Sequence, residues 1–189
     1  MSRDLEQELE TIVRASPTLM HVLETVRDLG LPDWMIFSGA VYQRVLNHLT
    51  GRAADYGIKD YDLAYFDPDT SYEAEDRVIR RVAAAFAPPL SDMVEVRNQA
   101  RVHLWFEEKF GEDYAPLAST ADALTRFVSP LFAVGVRLEG DGALTIAAPF
   151  GLQDLFALRL APNPSRRTNG FARTAASASA RWPELIVCN

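Results

Sequence analysis

Apolar residues recur along this chain with two alternating periods, and the switch between them marks out its elements. Leu5, Leu9, Ile12 and Val13 lie at helical spacing, so residues 2–15 read as an amphipathic helix. Ser16-Pro17 supplies an N-cap followed by proline at the first helical position, and Gly30 closes the second helix. The short apolar run 34–37 has strand character and stops at Ser38-Gly39-Ala40; Val41, Val45, Leu46 and Leu49 then resume the helical period up to Gly51. A second strand is predicted over 60–66, after a polar loop containing Gly57. Thr70 and Glu73 read as a capping box for a helix carrying Val78, Ile79 and Val82, with Pro88-Pro89 as its stop and a third strand at 93–98. Beyond these, short helices are expected over 103–110 and 120–127, and a hairpin joins 134–138 to 144–146 through Gly140-Asp141-Gly142. Residues 151–160 read as helical, Pro162-Asn163-Pro164 breaks that helix, and an Arg/Ser/Ala-rich tail follows as a solvated terminus.

The fold class is therefore α/β (α+β): a short mixed sheet flanked by helices, with helical N- and C-terminal extensions. A chain of 189 residues suits one domain, divided into N-terminal helices (1–30), a core of sheet and helices (31–148) and a C-terminal extension (149–189).

Charge narrows the candidate partners. With 19 basic and 26 acidic residues the net charge is −7, which disfavours broad nucleic-acid binding. The surplus of acids lies in the first 100 residues (10 basic, 17 acidic); the remainder balances, and its tail is mildly basic through Arg166, Arg167, Arg173 and Arg181 against Glu184. Cys188 has no second cysteine to pair with, no apolar run approaches a membrane span, and the acidic start is unlike a signal peptide. A reducing cytoplasm is the expected setting.

Asp60 and Asp62 are the first chemical signal. On a strand they project to one side, while Tyr61 and Leu63 face the other. Carboxylates so close repel unless a cation lies between them, and their oxygens suit Mg²⁺, with Mn²⁺ as a substitute. An Asp-x-Asp is also an ordinary polar strand face. Glu95 strengthens the metal reading, because Val94 and Val96 flank it in what reads as a buried strand, where an unpaired carboxylate is costly. Arg97 shares its parity and would be its partner in a purely structural ion pair. Ser38-Gly39-Ala40, between a strand and a helix N-terminus, suits close approach of phosphate to backbone N–H groups. Lys59 and Arg97 flank the acids and are candidate phosphate contacts. His21, His48 and His103 lack zinc-ligand spacing, His103 is expected to be a hydrogen-bonded structural histidine, and Trp34, Trp105 and Trp182 are expected in packing. No Gly-x-x-x-x-Gly-Lys, Gly-x-Gly-x-x-Gly or Gly-x-Ser-x-Gly motif occurs.

The order strand, small-residue turn, helix, Asp-x-Asp strand, helix, strand with an acid resembles the nucleotidyltransferase superfamily that includes DNA polymerase β. At closer range the stretches Gly57-Ile58-Lys59-Asp60-Tyr61-Asp62, Glu95-Val96-Arg97-Asn98-Gln99-Ala100-Arg101-Val102-His103-Leu104-Trp105, Ala148-Pro149-Phe150-Gly151-Leu152 and Arg181-Trp182-Pro183 are similar to bacterial nucleotidyltransferase family proteins of unestablished substrate. The resemblance implies transfer of a nucleotidyl group from an NTP to a hydroxyl acceptor, small-molecule or macromolecular. Asp60, Asp62 and Glu95 would be catalytic and metal-binding, and Ser38, Gly39, Ala40, Lys59 and Arg97 nucleotide-binding. Two departures stand out. Asp60 follows Gly39 by 21 positions, a long interval, and Ala40 occupies a place where the superfamily has Gly or Ser. The alternative is a non-catalytic nucleotide-binding or protein-interaction module.

Overall fold

Ser16 ends one helix and begins the next. Its side chain accepts a hydrogen bond from the Leu19 N–H (3.2 Å) at the start of helix α2 (Pro17–Leu29), which follows α1 (Ser2–Arg14). Gly30, at φ +63°, closes α2 in the left-handed conformation that a Cβ disfavours. The structure is a computed structural model that describes residues 2–166 and 169–188; Arg167 of the basic tail lies outside them.

The strands are β1 (Met35–Phe37), β2 (Tyr61–Tyr65), β3 (Val94–Asn98), β4 (Gly135–Leu138) and β5 (Leu144–Ala147). They form one mixed sheet in the order β3-β2-β1-β4-β5. Only β2 and β3 run parallel, because helix α4 (Tyr72–Ala85) makes the crossover between them; the other neighbours are antiparallel. Helix α3 (Gly39–Leu49) connects β1 to the loop before β2. One sheet face, with Ile36, Leu63, Tyr65, Val96 and Val136, joins the first helices in the main core. The other carries Met35, Phe37 and Ala64 against Leu117 and the short helix α6 (Thr120–Leu124). Asp62, Glu95 and Arg97 have the parity of this second face.

Four expectations are corrected. The capping residue of α4 is Ser71, not Thr70: its hydroxyl accepts from the Ala74 N–H (3.3 Å), after paired Asx turns at Asp67 and Asp69. Glu73 therefore falls one position short of a capping box. Instead Glu75 accepts from the Asn98 N–H (2.9 Å) and pairs with Arg101 (3.2 Å), tying α4 to β3. The segment 103–110 divides into a 3₁₀ turn (Gln99–Leu104) and α5 (Phe106–Phe110), and the buried His103 Nδ1 has no hydrogen-bond partner. The helix expected over 151–160 contracts to α7 (Gln153–Phe156), because Leu158 turns left-handed (φ +54°) and β6 (Arg159–Leu160) leaves to pair with β7 (Ile186–Val187).

The fourth correction concerns the tail. Residues 171–185 are part of the core: α8 (Phe171–Arg181) buries Ala175 and Ala178, and Trp182 continues that stripe with no exposed surface. Among the described residues no helix is long and apolar enough to cross a membrane.

Candidate active site

The turn from β1 into α3 is built around Ser38, whose φ of +64° is unusual for a residue with a side chain. Its carbonyl accepts the first helical hydrogen bonds, from Val41 (3.0 Å) and Tyr42 (3.1 Å). Its hydroxyl does not cap the helix; it lies close enough to Asp62 on the neighbouring strand to favour the ionised carboxylate. The N–H groups of Gly39 and Ala40 thus lie ahead of the helical ladder at an uncapped terminus. Gly39 leaves room for the Gln43 side chain against the turn: a Cβ there would come within 2.7 Å of Gln43 Nε2. Ala40, by contrast, turns its methyl into the core and offers a ligand its backbone alone.

The long interval between Gly39 and Asp60 is held by buried polar residues of α3. Asn47 donates to the carbonyls of Ala54 (3.1 Å) and Tyr56 (2.9 Å) and accepts from the Trp182 indole N–H (2.9 Å). Arg44, 2% exposed, donates to Asp55 (2.7 Å) and to the Tyr61 hydroxyl (2.9 Å). Gly57, at φ +75°, lets the loop approach Gln43 and Trp182, where a Cβ would lie 3.3–3.4 Å from their atoms. These contacts bring Lys59 and Asp60 to the head of β2.

From there the register decides the site. Asp62 lies beside Glu95 across the parallel β2–β3 pair, with Phe37 at the same level on β1. Burial pushes the Asp62 carboxyl up to about 6, with the negative charges of Asp60 and Glu95 adding to the effect and the nearby Ser38 hydroxyl and Arg97 charge opposing it. Glu95 itself is exposed, contrary to the buried setting its valine neighbours suggest, because β3 is an edge strand whose second face is open. Arg97 does not pair with it; the guanidinium donates to the Val96 carbonyl (3.0 Å). Among the described residues no three Asp, Glu, His or Cys side chains form a ready-made metal cage. Adjacent carboxylates whose negative charges oppose one another nonetheless match the hard oxygen donors that a divalent cation selects.

One hollow is lined by Asp60 and a second by Arg97, two positions from Glu95. The first, of about 300 Å³, is lined by Gln43, Gly57, Lys59, Asp60, Ser177 and Arg181, so α8 contributes to it. The other, of about 450 Å³, is lined by Arg97, Trp105, Glu108 and Lys109. A third hollow, of about 460 Å³ and lined in part by Phe106, Arg126 and Arg166, includes none of the acids. Gln43 carried no motif in the sequence, and Arg181 stood only in the Arg181-Trp182-Pro183 stretch and the basic tail; the hydrophobic stripe 175/178/182 could have signalled that α8 returns to the core.

A structure described as an NMR structure revealing a CCA-adding enzyme head domain is similar to this chain, with 26% identity and a TM-score of 0.76 over 97% of this chain and 95% of that one. No curated protein matches. The family model described as Nucleotidyltransferase matches residues 24–187, a span that takes in the turn, the three acids and α8. The chain belongs to this nucleotidyltransferase family.

Proposed function

We propose that the protein is a divalent-metal-dependent nucleotidyltransferase that moves a nucleotidyl group from an NTP to a hydroxyl acceptor. The observation that carries this reading is the lateral pairing of Asp62 with Glu95, beside Asp60 and across from the turn that starts α3. Asp60 and Asp62, with Glu95 completing the set, would hold Mg²⁺ or Mn²⁺. When bound, the ion neutralises phosphate charge and favours in-line displacement. The N–H groups of Gly39 and Ala40 would receive phosphate oxygens, with Lys59 and Arg97 as flanking cations. The acceptor oxygen attacks the α-phosphorus, the bond to the bridging oxygen of the β-phosphate breaks, and pyrophosphate leaves. As the alternative to a ligand role, Glu95, exposed at the sheet edge, would accept the proton from the acceptor hydroxyl. Positioning supplies much of the rate, since phosphoryl chemistry asks little covalent work of a protein.

The neighbouring CCA-adding head domain would suggest an RNA end as acceptor. A net charge of −7 favours a small molecule or a protein side chain instead. Labelled NTP incubated with the protein, Mg²⁺ and a cell extract should release pyrophosphate and label an acceptor, and Asp62→Asn should abolish both. Transfer retained in that variant would refute the assignment. A non-catalytic module draws support from Ala40, which has no hydroxyl to offer a phosphate. It predicts nucleotide binding without pyrophosphate release.

A further inference from the structure

Gln43 presents an unmet requirement beside the acids. The residue is 7% exposed, and its amide nitrogen lies 3.4 Å from the Tyr42 hydroxyl. The amide oxygen is buried and accepts no hydrogen bond. A buried acceptor without a donor is costly, which favours a ligand that brings one. The side chain lines the 300 Å³ hollow between α3 and α8 that also holds Lys59, Asp60, Ser177 and Arg181. Arg181 has its Nε directed to the Ser177 carbonyl (3.4 Å) and its guanidinium 4.6 Å over the Trp182 ring. Among the described ion pairs no carboxylate neutralises Arg181 or Lys59, so an acidic protein here keeps two cations beside an acceptor oxygen.

The ionised phosphates of a nucleotide answer the cations but bring the Gln43 oxygen no proton at neutral pH. A sugar hydroxyl does, and in a nucleotide the two are joined. We infer that the hollow between α3 and α8 holds the ribose and phosphate of the incoming nucleotide, with Arg181 binding phosphate and the Gln43 amide oxygen accepting from a ribose hydroxyl. This rests on the nucleotidyl-transfer reading and deepens it: the substrate is a ribonucleotide, and the C-terminal helix supplies part of its site. A deoxy analogue leaves the buried oxygen unsatisfied, and a site built to hydrogen-bond a hydroxyl discriminates against its absence far better than an apolar pocket does.

The test is calorimetric titration of the full chain with the four NTPs and their 2′-deoxy and 3′-deoxy forms in Mg²⁺, for wild type, Gln43→Met, Arg181→Ala and Arg181→Lys. Wild type should bind a ribonucleotide roughly 10-fold or more tighter than one of its deoxy forms. Gln43→Met, close in shape and without the acceptor, should bring that ratio near one. Arg181→Ala should weaken ribo and deoxy forms alike by about 10-fold, and Arg181→Lys by less. Thermal unfolding without nucleotide identifies a variant that has lost its fold; Arg181 is partly exposed, so its two variants read the pocket even if Gln43→Met unfolds. Nucleotide binding with no ribose preference, a preference that survives Gln43→Met, or an affinity indifferent to Arg181 overturns the inference while leaving nucleotidyl transfer standing. Failure of wild type to bind any NTP removes the parent reading and the inference with it.

Discussion

Asp62 is held where its own charge is unwelcome. In the fold it titrates at about 6, against 3.8 ordinarily, because burial and two neighbouring acids oppose ionisation. The native state thus holds the proton more tightly than the unfolded chain, and ionisation of Asp62 works against folding. The penalty is absent below about 4, grows between 4 and 6, and is complete above that range. Discounted for its partial exposure, it amounts to about 1–2 kcal/mol. Asp62→Asn in EDTA should therefore unfold later than wild type in urea at neutral pH, and the advantage should vanish at acid pH. The same variant is the one expected to lose transfer, so stability and activity should move in opposite directions. Gly39→Ala separates these properties differently. Its new methyl meets only the flexible end of Gln43, so stability should stay within about 1 kcal/mol while the affinity for ribonucleotides falls.

At the scale of elements, the loop between α3 and β2 depends on one buried asparagine. Asn47→Ala strands the Trp182 indole N–H and two loop carbonyls. The expected cost is about 2–3 kcal/mol, measured by chemical denaturation, with a larger fractional loss in transfer because Asp60 and Lys59 lie at the end of that loop. Trp182→Ala removes a fully buried ring from beneath the same loop and should cost about 3–5 kcal/mol. A chain ending before α8 should fail to fold cooperatively, since Ala175, Ala178, Trp182 and Leu185 all belong to the main core.

For the molecule as a whole, charge and linkage are the relevant quantities. A ligand that binds only the native state raises its stability by mass action, so Mg²⁺ with an NTP should raise the unfolding midpoint of wild type and leave that of Asp62→Asn little changed. The net charge of −7 predicts negligible retention of unrelated single-stranded RNA in filter binding at 150 mM salt. Tight, salt-sensitive retention would instead point to a nucleic-acid acceptor.

Local chemistry by itself determined much of this protein. Ser16, Pro17 and Gly30 punctuate the first two helices because capping and left-handed turns are satisfied within a few residues. The strand period also set Asp62 on the opposite side of β2 from Tyr61 and Leu63, which is a property of any extended chain. Tertiary structure decided what no local signal carries. The parallel register set Glu95 beside Asp62, and the open sheet edge left it exposed rather than buried. Ser71 displaced Thr70 as a cap because the two Asx turns at Asp67 and Asp69 carry the chain one residue further before α4 begins. The Arg/Ser/Ala-rich segment became a core helix because Trp182 at its end meets Asn47 of α3 and the loop at Gly57 across more than 120 residues of chain, bringing Arg181 to Gln43. Periodicity reports which face of an element is apolar; which distant element covers that face is settled only when the whole chain packs.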